Sequence, residues 1–179
     1  MRFSLSILFS LFFLHATSAV ALKGRIVDEK GKLLTARLYI QNAKGEWFFA
    51  KSASKKGSAV HYRKKRPNVP PSEEMHTTLS AHPFTVDLPT GKYTVTVERG
   101  HEYRTLVRQV QISDKPVSLN LKLTRWINMA KRGWYSGDTH VHRSLDELPN
   151  VMLAEDLNVA LPLVYWVTRG YAPPKSSEK

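Results

Sequence analysis

Three residues in the last third of the chain carry side chains able to hold a metal ion. They are Asp138, His140 and His142, within Gly133-Trp-Tyr-Ser-Gly-Asp-Thr-His-Val-His-Arg143. On a β-strand successive side chains alternate between faces, so residues two apart project from the same side. One strand would therefore bring a carboxylate and two imidazoles toward a single point. On a helix, residues two apart lie about 200° around the axis and diverge. A neutral imidazole reaches a cation at about 2.0–2.1 Å, which makes His-x-His on a strand a chelating pair. The spacing alone is a weak signal, because with 7 His in 179 residues chance places about 0.3 such pairs. The competing reading is a pair of ordinary strand histidines packed against the rest of the fold. The chain has no Cys, which excludes a thiolate ligand, a disulfide and a cysteine nucleophile.

The flanking sequence supplies the elements that must position these groups. Val151-Met-Leu-Ala-Glu-Asp-Leu157 contains good helix formers, and Pro149 suits a first helical turn. Val159-Ala-Leu-Pro-Leu-Val-Tyr-Trp-Val167 reads as a buried strand with Pro162 near its start. Strand, helix, strand is one βαβ step. Upstream, residues 22–123 carry strand and turn signals: Ala36-Arg-Leu-Tyr-Ile-Gln41, Phe84-Thr-Val-Asp-Leu88, Tyr93-Thr-Val-Thr-Val97, Leu106-Val-Arg-Gln-Val-Gln-Ile112 and Val117-Ser-Leu-Asn-Leu-Lys-Leu123. In the last run Val117, Leu119, Leu121 and Leu123 share one face, the period of a half-buried strand. About seven short strands over a hundred residues predict a mainly β chain with an antiparallel β-sandwich. Residues 124–133 read as a connector. Trp47, Trp126, Trp134 and Trp166 are expected in core or interdomain packing, and His61, His76, His82 and His101 in turns or loops without a role.

Composition adds a compartment and a charge. Arg2, the apolar run Leu5-Ser-Ile-Leu-Phe-Ser-Leu-Phe-Phe-Leu14 and Ala19-Val-Ala21 form the pattern of a secretory signal peptide over residues 1–21. A secreted or periplasmic protein is the expectation, with no membrane span after cleavage because the run falls short of ~20 residues. The formal charge is +12, from 27 Lys+Arg against 15 Asp+Glu. Seven of the basic residues fall between Lys51 and Arg66 with no acid among them. That segment, extended to Pro71, is expected to be a solvated basic loop over residues 51–71. Tyr62 is a single aromatic where single-strand binders present several, and export separates the chain from most nucleic acid, so nucleic-acid binding is disfavoured.

Two stretches carry a family resemblance. Gly24-Arg-Ile-Val-Asp-Glu-Lys-Gly31, Leu88-Pro-Thr-Gly-Lys-Tyr93 and Val97-Glu-Arg-Gly100 resemble the carboxypeptidase regulatory-like modules, which implies an Ig-like, transthyretin-like sandwich without chemistry of its own. Trp134-Tyr-Ser-Gly-Asp-Thr-His-Val-His-Arg143 is similar to the first metal-binding strand of the PHP hydrolases, within them the secreted CehA/McbA group. Leu148-Pro-Asn-Val-Met-Leu-Ala-Glu-Asp-Leu-Asn-Val159 resembles that group's first helix and second strand. The resemblance implies a metallohydrolase in which a metal-bound hydroxide cleaves a phosphoester, ester or carbamate. Zn, Mn or Fe would be held by His140 and His142, with Asp138 as a further ligand or an orienter. No catalytic base is assignable. No His follows His142, and residues 134–179 are too short for a barrel of about 200 residues. The expectation is the incomplete front end of a PHP-type β/α barrel, inactive by itself, bound to a small-molecule or phosphoester substrate only when completed. The alternative is a non-catalytic β-sandwich module with a vestigial tail.

Overall fold

The computed structural model describes residues 19–68 and 70–163. Most of the expected signal peptide, and the part of the expected last strand that holds Trp166, lie outside the described residues. The chain is mainly β. Its strands run in order as β1 Val20–Val27, β2 Ala36–Asn42, β3 Trp47–Phe48, β4 Lys51–Ser52, β5 Ala59–Arg66, β6 Ser72–Leu79, β7 Phe84–Leu88, β8 Gly91–Glu98, β9 Leu106–Ile112 and β10 Val117–Lys122. A 3-10 turn over Ala130–Arg132, β11 Gly137–Val141, α1 Leu148–Ala154 and β12 Val159–Pro162 follow. One sheet has the order β10-β1-β7-β4, and a second has β5-β6-β2-β8-β9 with β3 beside β2. β1 and β10 pair in parallel, against the expectation of antiparallel pairing throughout. A crossover brings β10 back to the edge of the first sheet after β8 and β9 have extended the second. β1 begins at Val20, which pairs with Leu88, so Val20 and Ala21 form part of the fold although sequence assigns them to the leader.

The two sheets share one apolar cluster. Leu22 and Ile26 of β1, Phe84 and Leu88 of β7 and Leu121 of β10 meet Leu38, Ile40, Leu79, Val95 and Ile112 of the larger sheet, all buried. Each such side chain removed from water contributes about 1.5–3 kcal/mol. The alternation expected for Val117–Lys122 holds at Leu121, while Leu119 and Val117 are partly buried against the same cluster. Asp28 Oδ1 accepts the backbone N–H groups of Lys30 and Lys32 at 2.9 Å each, which closes the β1–β2 connection, and Gly31 turns it with φ +82°. Tyr93 is buried, and its hydroxyl donates to the Pro89 carbonyl at 2.8 Å and fastens the turn between β7 and β8.

Residues 51–71 are not one solvated loop. β5 runs antiparallel to β6 through eight residue pairs, from Ala59↔Leu79 to Arg66↔Ser72. In the register Lys64 lies opposite Glu74 and Lys65 opposite Glu73. His76, Thr77, Thr78 and Leu79 of β6 are buried, and that burial anchors the hairpin. His61 and His76 are therefore strand residues, not loop residues.

Candidate metal centre

β11 pairs in parallel with β12, through Gly137↔Val159 and Asp138↔Ala160, then Val141↔Pro162. Three steps on β11 span two on β12, so β11 carries one extra residue between Asp138 and Val141. An extra residue breaks the alternation of faces, and Pro162 has no N–H to restore the ladder. His140 lies within the irregularity and His142 just past the end of β11, and their side chains meet. Their Nε2 atoms are 3.0 Å apart, and their rings meet edge to face with centroids 4.8 Å apart. Asp138 does not join them: its Oδ1 accepts the backbone N–H of His140 at 2.9 Å. All three are exposed.

The two imidazole nitrogens lie at hydrogen-bond distance from each other, close to the spacing of a pair that shares one ion. Two nitrogens at about 2.05 Å from a tetrahedral ion are about 3.3 Å apart, a few tenths of an ångström from the observed spacing. Among the described residues no third His, Asp or Glu completes the group.

The frame that holds β11 is built from polar side chains. Ser136 Oγ donates to the Asp156 carbonyl at 3.0 Å, and the Ser136 N–H donates to Asn158 Oδ1 at 3.0 Å. α1 starts at Leu148 with Pro149 in its first turn, as the sequence predicts, and rests on the large sheet. There Asn150 Nδ2 donates to the Thr78 carbonyl at 3.0 Å, a buried hydrogen bond. The Gly100 N–H donates to the Ala154 carbonyl at 3.1 Å, and a Cβ on Gly100 would meet the Glu155 carbonyl oxygen at 2.5 Å.

Ion pairs then tie the helix end to the sheet. Asp156 accepts Arg99 Nη2 at 2.7 Å and Arg125 Nη2 at 2.6 Å, and Arg125 also binds Glu102. Arg37 reaches Glu155 and Glu98, each at 3.3 Å. Burial pushes the Glu155 carboxyl above the usual carboxylate range, and Arg37 only partly opposes it. This network was missed from sequence, because its members lie up to 118 positions apart and no local spacing connects them.

Arg143, next to the chelating pair, turns toward β5. Its guanidinium carbon lies 4.7 Å from the centre of the Tyr62 ring, and Nη1 lies 3.5 Å from Glu147. Tyr62 stacks on His76 at 5.2 Å, and His76 meets Tyr39 at 5.2 Å. His76 is buried, and burial, reinforced by Arg37 and then Arg143, pushes its imidazole down to about 4. Glu74 lies 3.3 Å from its Nδ1, but that carboxylate is half-exposed and also faces Arg37, so it does not keep a proton on the ring. The expected burial of tryptophan fails at two positions: Trp126 is 55% exposed and Trp134 70%. Trp126 nonetheless uses its indole N–H, which donates to the His101 carbonyl at 2.9 Å.

A scan against protein-family models finds no match, and a search of curated proteins finds none. Among solved structures, the chain is similar to phospholipase PlaB from Legionella pneumophila with a TM-score of 0.38 and 15% identity, covering 64% of this chain and 27% of that one. The same enzyme in complex with thio-NAD gives a TM-score of 0.32 and 16% identity, over 61% of this chain and 27% of that one. The chain thus spans about a quarter of the length of those structures. At that level the likeness carries no argument about fold or activity.

Proposed function

We propose that this chain carries the opening strand, helix and strand of a secreted PHP-type metallohydrolase behind a transthyretin-like β-sandwich, with His140 and His142 as metal ligands. The observation that carries the reading is the meeting of their Nε2 atoms at 3.0 Å, His140 on β11 and His142 just past its end. The resemblance of residues 134–159 to the CehA/McbA group agrees with it. Two sheets around one core support the sandwich part. A bound Zn, Mn or Fe ion would supply Lewis-acid activation of water toward a phosphoester, ester or carbamate. The chain's own part is to hold two neutral imidazoles in position: β12 backs the strand, Ser136 and Asn158 fix its start, and Arg143 pins its end on Tyr62. Asp138 orients β11 through the His140 N–H and does not act as a ligand in this geometry.

Titration of the purified chain with Zn or Mn, followed by calorimetry and by metal content after gel filtration, tests the reading. Wild type should bind one ion, and His140→Ala and His142→Ala should each weaken binding at least tenfold. Equal occupancy in wild type and both variants would remove the ligand assignment.

A further inference from the structure

Four of the seven basic residues left unexplained by a metal site, Arg63, Lys64, Lys65 and Arg66, lie on β5 at the border of the large sheet. β5 pairs with β6 on one side, and no described strand pairs with it on the other. An antiparallel strand of this length turns the N–H and C=O groups of about half its residues away from its partner. All seven basic side chains between Lys51 and Arg66 are exposed. No described carboxylate comes within 4.0 Å of any of their charged nitrogens. Glu74, the cross-strand neighbour of Lys64, turns instead toward Arg37 and His76. The guanidinium carbon of Arg63 lies over Phe49, 4.0 Å from the ring centre. Strand edges of this kind invite a further strand, and like charges forbid that strand from being a second copy of β5.

We infer that the outer edge of β5 is a docking site for an acidic extended peptide segment, which adds to the large sheet as a strand beside Ala59–Arg66. Main-chain hydrogen bonds would supply the register, and Arg63, Lys64, Lys65 and Arg66 would select carboxylates on the incoming strand. The strand edge favours a peptide over a polyanion or an anionic bilayer, because those would engage only the side chains.

The test uses the full chain and an eight-residue peptide of alternating Glu and Val, with the Gln-for-Glu peptide as control. The acidic peptide should bind at least tenfold more tightly than the control, with affinity that falls as salt is added. Amide hydrogen exchange should slow within Ala59–Arg66 on binding, and Lys64→Glu with Lys65→Glu should weaken binding about tenfold. The wild-type exchange pattern decides the matter even where the double variant folds poorly. Three outcomes would overturn the inference: no binding, in which case the charges only guard the edge; binding without slowed exchange in β5; or stronger binding to duplex DNA or phosphatidylserine vesicles than to the peptide.

Discussion

His76 has lost its ordinary titration to its surroundings. Burial between Tyr62 and Tyr39, with Arg37 and Arg143 nearby, holds the ring neutral down to about pH 4. The unfolded chain takes up that proton near pH 6.5, so between pH 6.5 and 4 it binds more protons than the folded chain. The stability linked to His76 is complete above pH 6.5 and is lost as the pH falls toward 4. The loss is expected to reach roughly 1–3 kcal/mol, and His76→Leu should flatten that part of a urea-denaturation series against pH. An unchanged slope in the variant would assign the loss to other groups. At the chelating strand, the turn of Asp138 toward the His140 N–H leads to a graded result. Asp138→Ala should lower metal affinity less than threefold, against tenfold or more for His140→Ala, when both are titrated with Zn at constant pH.

Elements that pack through apolar alternation were legible in the sequence, and those held by charge were not. β7 and β9 have the expected ends and β2 and β8 fall within two residues of theirs, because their inward faces repeat every second residue. The sequence predicts a solvated loop over residues 51–71, where β5 runs, and no strand over 72–79, where β6 runs. The signal that bears on this pairing is Glu73–Glu74, which the register sets opposite Lys65 and Lys64. The join between α1 and the sheet rests on Asp156, which holds both Arg99 and Arg125 and is only 13% exposed at its side chain. Asp156→Asn should cost about 1–3 kcal/mol, because it leaves two guanidinium groups without their shared carboxylate. Gly100→Ala should act on the same join, since its Cβ has no room beneath Glu155. A thermal melt in which both variants match wild type would show that the join adds nothing to stability.

At the scale of the whole molecule, two kinds of cohesion coexist. The β domain has one continuous core, whereas residues 137–163 hold to it through Asn150, Gly100 and the three arginines while exposing Leu153, Val159 and Leu161. Amides of β11, α1 and β12 should therefore exchange at least tenfold faster than those of β1, β2 and β8, and 0.5 M salt should widen the gap. Equal protection across both parts would mean one cooperative unit. The sequence by itself determined the mainly β character, the helix with Pro149 in its first turn and the short strand that carries Asp138 and His140. These depend on local periodicity and turn chemistry, which neighbouring residues dictate. Tertiary structure alone decided that β10 returns parallel to β1, that residues 59–66 of the basic segment become a sheet edge, and that Asp138 accepts the His140 backbone N–H. The first two depend on pairing between residues distant in the chain, and strand pairing and an extra residue in a ladder exist only once both partners are in place.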